Sequence, residues 1–140
     1  MNKYVAMMQR HQEDYNRFPI GWAFGKEQFA EMMAEWGLNV TDTDKIVSIG
    51  CGGYLKKEDV PEFKAIEARH KAEFEKAVNE DKTGKEFVCQ MFYKELSSHD
   101  FGWTGELQET LDALGFTLEE VNSRTNLKRG LSLAMAKFTV

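Results

Sequence analysis

The residues best suited to chemistry lie in Ile46-Val47-Ser48-Ile49-Gly50-Cys51-Gly52-Gly53, a β-branched run ending in a glycine-rich turn. A bare glycine backbone can approach a phosphate or a ribose that any Cβ would block, and many cofactor sites begin this way. Gly50, Cys51, Gly52 and Gly53 are therefore the candidate ligand-binding residues of a small ligand-binding protein or enzyme. A second candidate is Ser97-Ser98-His99-Asp100, whose residue types are those of a nucleophilic triad. A triad is a spatial arrangement, however, and neighbours in a turn rarely orient their side chains that way. The plainer expectation is a helix C-terminus with His99 placed favourably for the dipole.

The glycine turn superficially resembles the first motif of methyltransferases that use S-adenosylmethionine. In that family a helix follows the loop directly, and an acidic residue near the next strand's end holds the ribose. Here Gly53 leads into Tyr54-Leu55-Lys56-Lys57, a strand pattern, and no alternating strand–helix series follows. A glycine fingerprint outside a βαβ setting is weak, so a hairpin or bulge without a cofactor is expected.

His11 and His70 fall in register with apolar residues of their helices and could in principle meet a cysteine around zinc. There is no Cys-x-x-Cys and no His-Glu-x-x-His, so core-rim histidines and no metal site are expected. Leu107–Arg124 has the outline of a helix–turn–helix, which would make the protein a DNA-associated regulator. Its second helix opens with Glu119 and Glu120, the wrong sign for phosphates, and an ordinary helical hairpin is expected.

Glu106, Glu109 and Asp112 recur every three residues on the helix whose other face carries Leu107, Leu111 and Leu114. Glu119 and Glu120 follow, and no basic residue lies between Phe101 and Ser123. Such a face is either merely solvated or meets a basic site on a partner protein, where charge complementarity speeds encounter. Trp103, in Phe101-Gly102-Trp103, would be the interface anchor if exposed. The expectation is that it pins its loop onto the core. Glu106, Glu109, Asp112, Glu119, Glu120 and Trp103 are the candidate interaction residues.

These side chains need a scaffold, and 140 residues suffice for one ordinary core. The net charge of −5 argues against generic nucleic-acid binding. No apolar run approaches the ~20 residues that span a bilayer. The N-terminal segment has no long apolar stretch, so no signal peptide is expected. Two distant cysteines, Cys51 and Cys89, suggest reduced thiols in a cytoplasmic protein.

Helical spacing predicts helices over 2–17, 26–36, 59–79 and 86–98, with Gly37 closing the second. Ile20–Phe24, Lys45–Ile49 and Tyr54–Lys56 read as strands. Thr104 is expected to cap a helix over 105–114. Thr117-Leu118-Glu119-Glu120 is a capping box, and Asn126 is expected to cap a last helix over 127–138. The expected fold is a helix-dominated α+β single domain over 1–140 with a two- or three-stranded antiparallel sheet.

Two stretches resemble a known family. One is Asp42–Lys56; the other runs from Met91-Phe92-Tyr93-Lys94-Glu95-Leu96 through Thr110–Gly115 to Thr117–Asn122. They resemble small uncharacterised proteins (a domain of unknown function) from gut bacteria, their phages and mobile genetic elements. The resemblance carries over no catalytic residue or cofactor. It implies a setting in the bacterial cytoplasm and an element-encoded accessory. The leading expectation is a non-enzymatic protein-interaction module or inhibitor, with an anti-defence role among the options.

Overall fold

A computed structural model describes residues 1–138. The fold is helix-dominated α+β: eight α-helices and one three-stranded antiparallel sheet among the described residues. The helices are α1 (Lys3–Arg17), α2 (Lys26–Glu35), α3 (Val60–Glu80), α4 (Phe87–Ser98), α5 (Phe101–Thr104), α6 (Gln108–Leu114), α7 (Leu118–Ser123) and α8 (Thr125–Ala136). The strands are β1 (Gly21–Trp22), β2 (Ile46–Gly50) and β3 (Gly53–Lys56). Two compact units divide the chain: residues 1–10 with the chain from Ala72 onward, and residues 11–71.

Among the described residues, the regular elements of the first unit are all helices. Helix α4 carries its apolar residues on more than one face, and Phe87, Val88, Cys89, Met91, Phe92 and Leu96 are all buried. A helix so widely apolar must be surrounded. Leu127, Leu131 and Ala134 of α8, Leu111 of α6, Val121 of α7 and Tyr4 and Met7 of α1 complete its core. Gly130 permits the close approach of α8. A Cβ there would overlap the Val88 side chain and come within 2.9 Å of the Gly84 carbonyl oxygen. Asp81, in the loop before α4, accepts from the backbone N–H groups of Glu86 and Val88 at 3.1 and 3.0 Å. Those donors would otherwise lack intrahelical partners.

Two expected caps are corrected in this unit. Thr104 closes α5 and does not open the next helix; Gly105, at φ 69°, breaks the chain direction and α6 begins only at Gln108. Asn126 lies inside α8, where its amide donates to the carbonyls of Val78 and Asp81. The capping box at Thr117 forms as expected, with Glu120 N–H donating to Thr117 Oγ1 and Thr117 N–H to Glu120 Oε1.

In the second unit the strands lie in the order β1-β3-β2. Ala23, Met32 and Met33 form its core, joined by Phe29, Trp36, Leu38, Ile46 and Tyr54. Strand β1 covers only two residues of the five expected, and Ala23 just beyond it donates its N–H to Gly52 O at 2.9 Å. Strand β2 has no partner on its other side among the described residues.

Candidate interaction surfaces

The glycine turn is a hairpin. Gly50 pairs with Gly53, which leaves Cys51 and Gly52 as its two central residues. Both have positive φ, 53° and 81°, as a type I′ turn requires. A bulge between Ser48 and Gly50 precedes it. Strand β3, and not a helix, follows the turn. The glycines instead seat aromatic rings. A Cβ on Gly52 would lie 2.5 Å from Phe24 Cε1, and one on Gly53 would lie 3.1 Å from Trp22 Cζ3. Cys51 is exposed and Cys89 is buried, both as free thiols.

This arrangement exposes Phe24 and Trp22, which sequence reasoning missed. Phe24 is 73% exposed and Trp22 55%, while Ala23 between them is buried. Alternation along an extended segment puts every second residue on one side. Here the small residue points in and the two large aromatics point out, an inversion visible in Trp22-Ala23-Phe24 once the inward side is known.

The two sequence-distant histidines do meet. His11 and His70 stack with ring centroids 3.8 Å apart and planes 9° from parallel. His70 Nε2 is 2.8 Å from Asp14 Oδ2, and Tyr15 stands edge-on to His70 at 5.1 Å. Arg17 donates to the other Asp14 oxygen at 2.8 Å. These contacts, His70 first, hold the Asp14 carboxyl below its usual range against a smaller opposing effect of burial. Burial, with lesser contributions from Glu67 and Asp14, pushes the Tyr15 hydroxyl up. Among the described residues no group of three or more His, Cys, Asp or Glu could hold a metal ion.

Ser97-Ser98-His99-Asp100 is the end of α4. Ser97 Oγ donates back to Tyr93 O at 2.8 Å, and Ser98 Oγ accepts from Lys94 Nζ at 2.9 Å. His99 caps the helix and sits between Glu95, at 3.3 Å, and Glu109, at 3.6 Å. The hydroxyls are thus engaged away from the imidazole.

The acidic residues are distributed differently from the expected stripe. Glu109 and Asp112 lie on α6, three residues apart, whereas Glu106 precedes that helix. Glu119 and Glu120 belong to α7, a helix of six residues, and Glu120 is occupied by its capping box. All five are exposed. The expectation that Trp103 pins its loop onto the core is overturned, because this residue is 94% exposed. Its segment is no loop but the short helix α5, fixed by Trp103 N–H to Asp100 O at 2.9 Å and Gly105 N–H to Phe101 O at 2.8 Å. The neighbouring aromatic, Phe101, is the one that turns inward, against Phe138. Trp103 borders a groove of about 500 Å³ whose apolar lining includes Phe101, Met135 and Phe138.

The family comparison matches a family of unknown function (DUF7659) over residues 3–137. The chain belongs to this family. No curated protein matches it, and no solved structure does. No helix among the described residues is long and apolar enough to cross a membrane.

Proposed function

We propose that the protein is a non-enzymatic protein-interaction module that engages a basic surface on a partner protein through α5 and the acidic residues that follow it. The observation that carries this reading is Trp103, held 94% exposed by a hydrogen-bonded helical turn at the edge of an apolar groove. An isolated exposed apolar side chain needs no explanation, but a Trp continuous with Phe101, Met135 and Phe138 forms a patch. Burying such a side chain removes roughly 150–250 Å² from water and makes it a natural anchor.

Charge supports the same reading. Glu106, Glu109, Asp112, Glu119 and Glu120 lie in a stretch without Lys or Arg from Phe101 to Ser123. His99 beside Glu109 is the only cationic-capable group paired with these five carboxylates among the described residues. A partner's Lys and Arg residues would supply the missing charge and raise the encounter rate. An accessory or inhibitor encoded by a bacterial mobile element or phage, acting in the cytoplasm, is the biological role that suits such a module.

The test is affinity capture from the source bacterium with the wild-type chain and Trp103→Ala side by side. Truncating an anchor of this kind costs about 2 kcal/mol or more, roughly thirtyfold in affinity. One protein should be retained by the wild type and lost by the variant. Equal recovery by both chains, or no specific protein under several salt conditions, would count against the proposal.

A further inference from the structure

The second unit carries a groove of about 570 Å³ lined by Trp22, Phe24, Trp36 and Met32, with the carboxylates of Glu31 and Glu35 at the same site. Its volume is that of an ordinary binding site. No Lys or Arg lines it. We infer that this groove receives an arginine side chain presented by a segment of a protein partner, the guanidinium lying against the aromatic rings and paired with Glu31 and Glu35.

Three observations converge on that occupant. First, the aromatic walls are built and not incidental. Trp36 and Met32 lie directly against the backbone of Gly21, where a Cβ would come within 2.7 Å of Trp36 Cη2 and 2.5 Å of Met32 Sδ. Phe24 and Trp22 rest on Gly52 and Gly53. Aromatic faces attract cations, and an indole does so most strongly. Trp36 already shows the preference, with Lys56 Nζ 5.9 Å from its ring centroid; Lys56 itself lines a different groove.

Second, the charge is uncompensated. Glu31 and Glu35 are exposed, one helical turn apart on α2, and neither forms an ion pair among the described residues. From Glu27 to Asp44 the chain contains no Lys or Arg. Like charges at this spacing repel, and a cation between them removes the repulsion.

Third, the combination selects arginine. A planar guanidinium stacks on aromatic faces while its N–H fork reaches carboxylates, which a compact ammonium does not do simultaneously. The inference rests on the reading of the protein as an interaction module, but it uses a unit of the fold that does not contain Trp103.

The experiment follows the indole N–H resonances of the full chain during titration with the blocked tripeptide Gly-Arg-Gly. The three tryptophans give three signals, and Trp103 serves as the internal control. The expected result is a saturable shift of Trp22 and Trp36 with Trp103 unmoved. Replacing arginine by citrulline, which keeps the shape and removes the charge, should abolish the shift. The exposed double variant Glu31→Gln/Glu35→Gln should weaken binding on the order of tenfold at low salt, the combined effect of two surface ion pairs. An absence of saturable shifts at Trp22 and Trp36, equal binding of the citrulline peptide, or unchanged affinity of the double variant would overturn the inference. Equally strong binding of free guanidinium or tetramethylammonium would also overturn it, in favour of a small-cation site. Loss of partner capture by Trp103→Ala is a separate readout, so the two proposals can fail independently.

Discussion

Replacing Gly52 with alanine should damage the hairpin more than replacing Gly50, although both glycines have nearly the same backbone conformation. Their φ angles are 81° and 85°. A Cβ in that region costs about 1–2 kcal/mol. Reduced freedom of the unfolded chain returns about 0.4–1 kcal/mol in each variant. At Gly50 nothing lies within 4 Å of the added atom, so the backbone effect is the whole effect. At Gly52 the new Cβ would sit 2.5 Å from Phe24 Cε1, and the ring must leave its seat. Displacing the ring adds roughly 0.5–1.5 kcal/mol, the cost of forcing a side chain off its rotamer. Gly52→Ala should therefore be less stable than Gly50→Ala by about 1 kcal/mol, or roughly 3–5 °C in melting temperature for a chain of this size. Urea unfolding followed by tryptophan fluorescence measures both variants, with hydrogen exchange over 46–56 localising the effect. Equal stabilities, or a Gly50→Ala variant weaker than Gly52→Ala, would refute the claim that the glycine turn serves to seat Phe24.

Other outcomes follow from the same geometry. Cys51 is a non-glycine residue at φ 53°, and Cys51→Asn should stabilise the hairpin by about 0.5–1 kcal/mol, since asparagine tolerates this region; a lower unfolding midpoint would contradict it. Gly130→Ala should destabilise the first unit by about 1–3 kcal/mol, because the methyl group meets Val88 and the Gly84 carbonyl; chemical denaturation checks it. Thr117→Ala removes the capping box and should cost about 1 kcal/mol by the same assay. Asp14 has a lowered pKa in the folded state, so its contribution is present above its unfolded value near 4 and is lost as pH falls through the folded value. Asp14→Asn should accordingly flatten the acid side of the stability–pH curve, and parallel wild-type and variant curves would argue against the His70–Asp14 contact.

Local chemistry made much of the fold legible. Pro19 and Gly37 bound their helices where expected, and Thr117 with Glu120 marks the start of α7 because both partners of a reciprocal hydrogen bond are encoded three residues apart. Thr104 and Asn126 misled for a related reason. Both are good N-cap residue types, but Thr104 precedes a left-handed Gly105, and Asn126 is drawn to carbonyls of the distant residues Val78 and Asp81. The first is set by the neighbouring residue, the second by residues 45 and 48 positions away.

The site residues divide in the same way. The hairpin at Gly50–Gly53 was legible from a strand pattern on both sides of the turn. The rings that use its bare backbone come from residues about 30 positions earlier, and spacing alone could not link them. Trp103 was legible as a candidate anchor, yet its exposure depended on which aromatic of Phe101-Gly102-Trp103 turned inward. Phe101 packs against Phe138, so Trp103 is left in solvent. The spacing of His11 and His70 marks them as core-side residues, and both are buried, but their stacking requires the two helices to meet.

In the proposed role, α5 presents Trp103 to a protein partner. Hydrogen–deuterium exchange of the captured complex, compared with the free chain, tests it most directly. Slower exchange over 101–105 and into α6 is expected on partner binding, with no such protection when Trp103→Ala is mixed with the same partner. A complex that forms with unchanged exchange across 101–114 would contradict it.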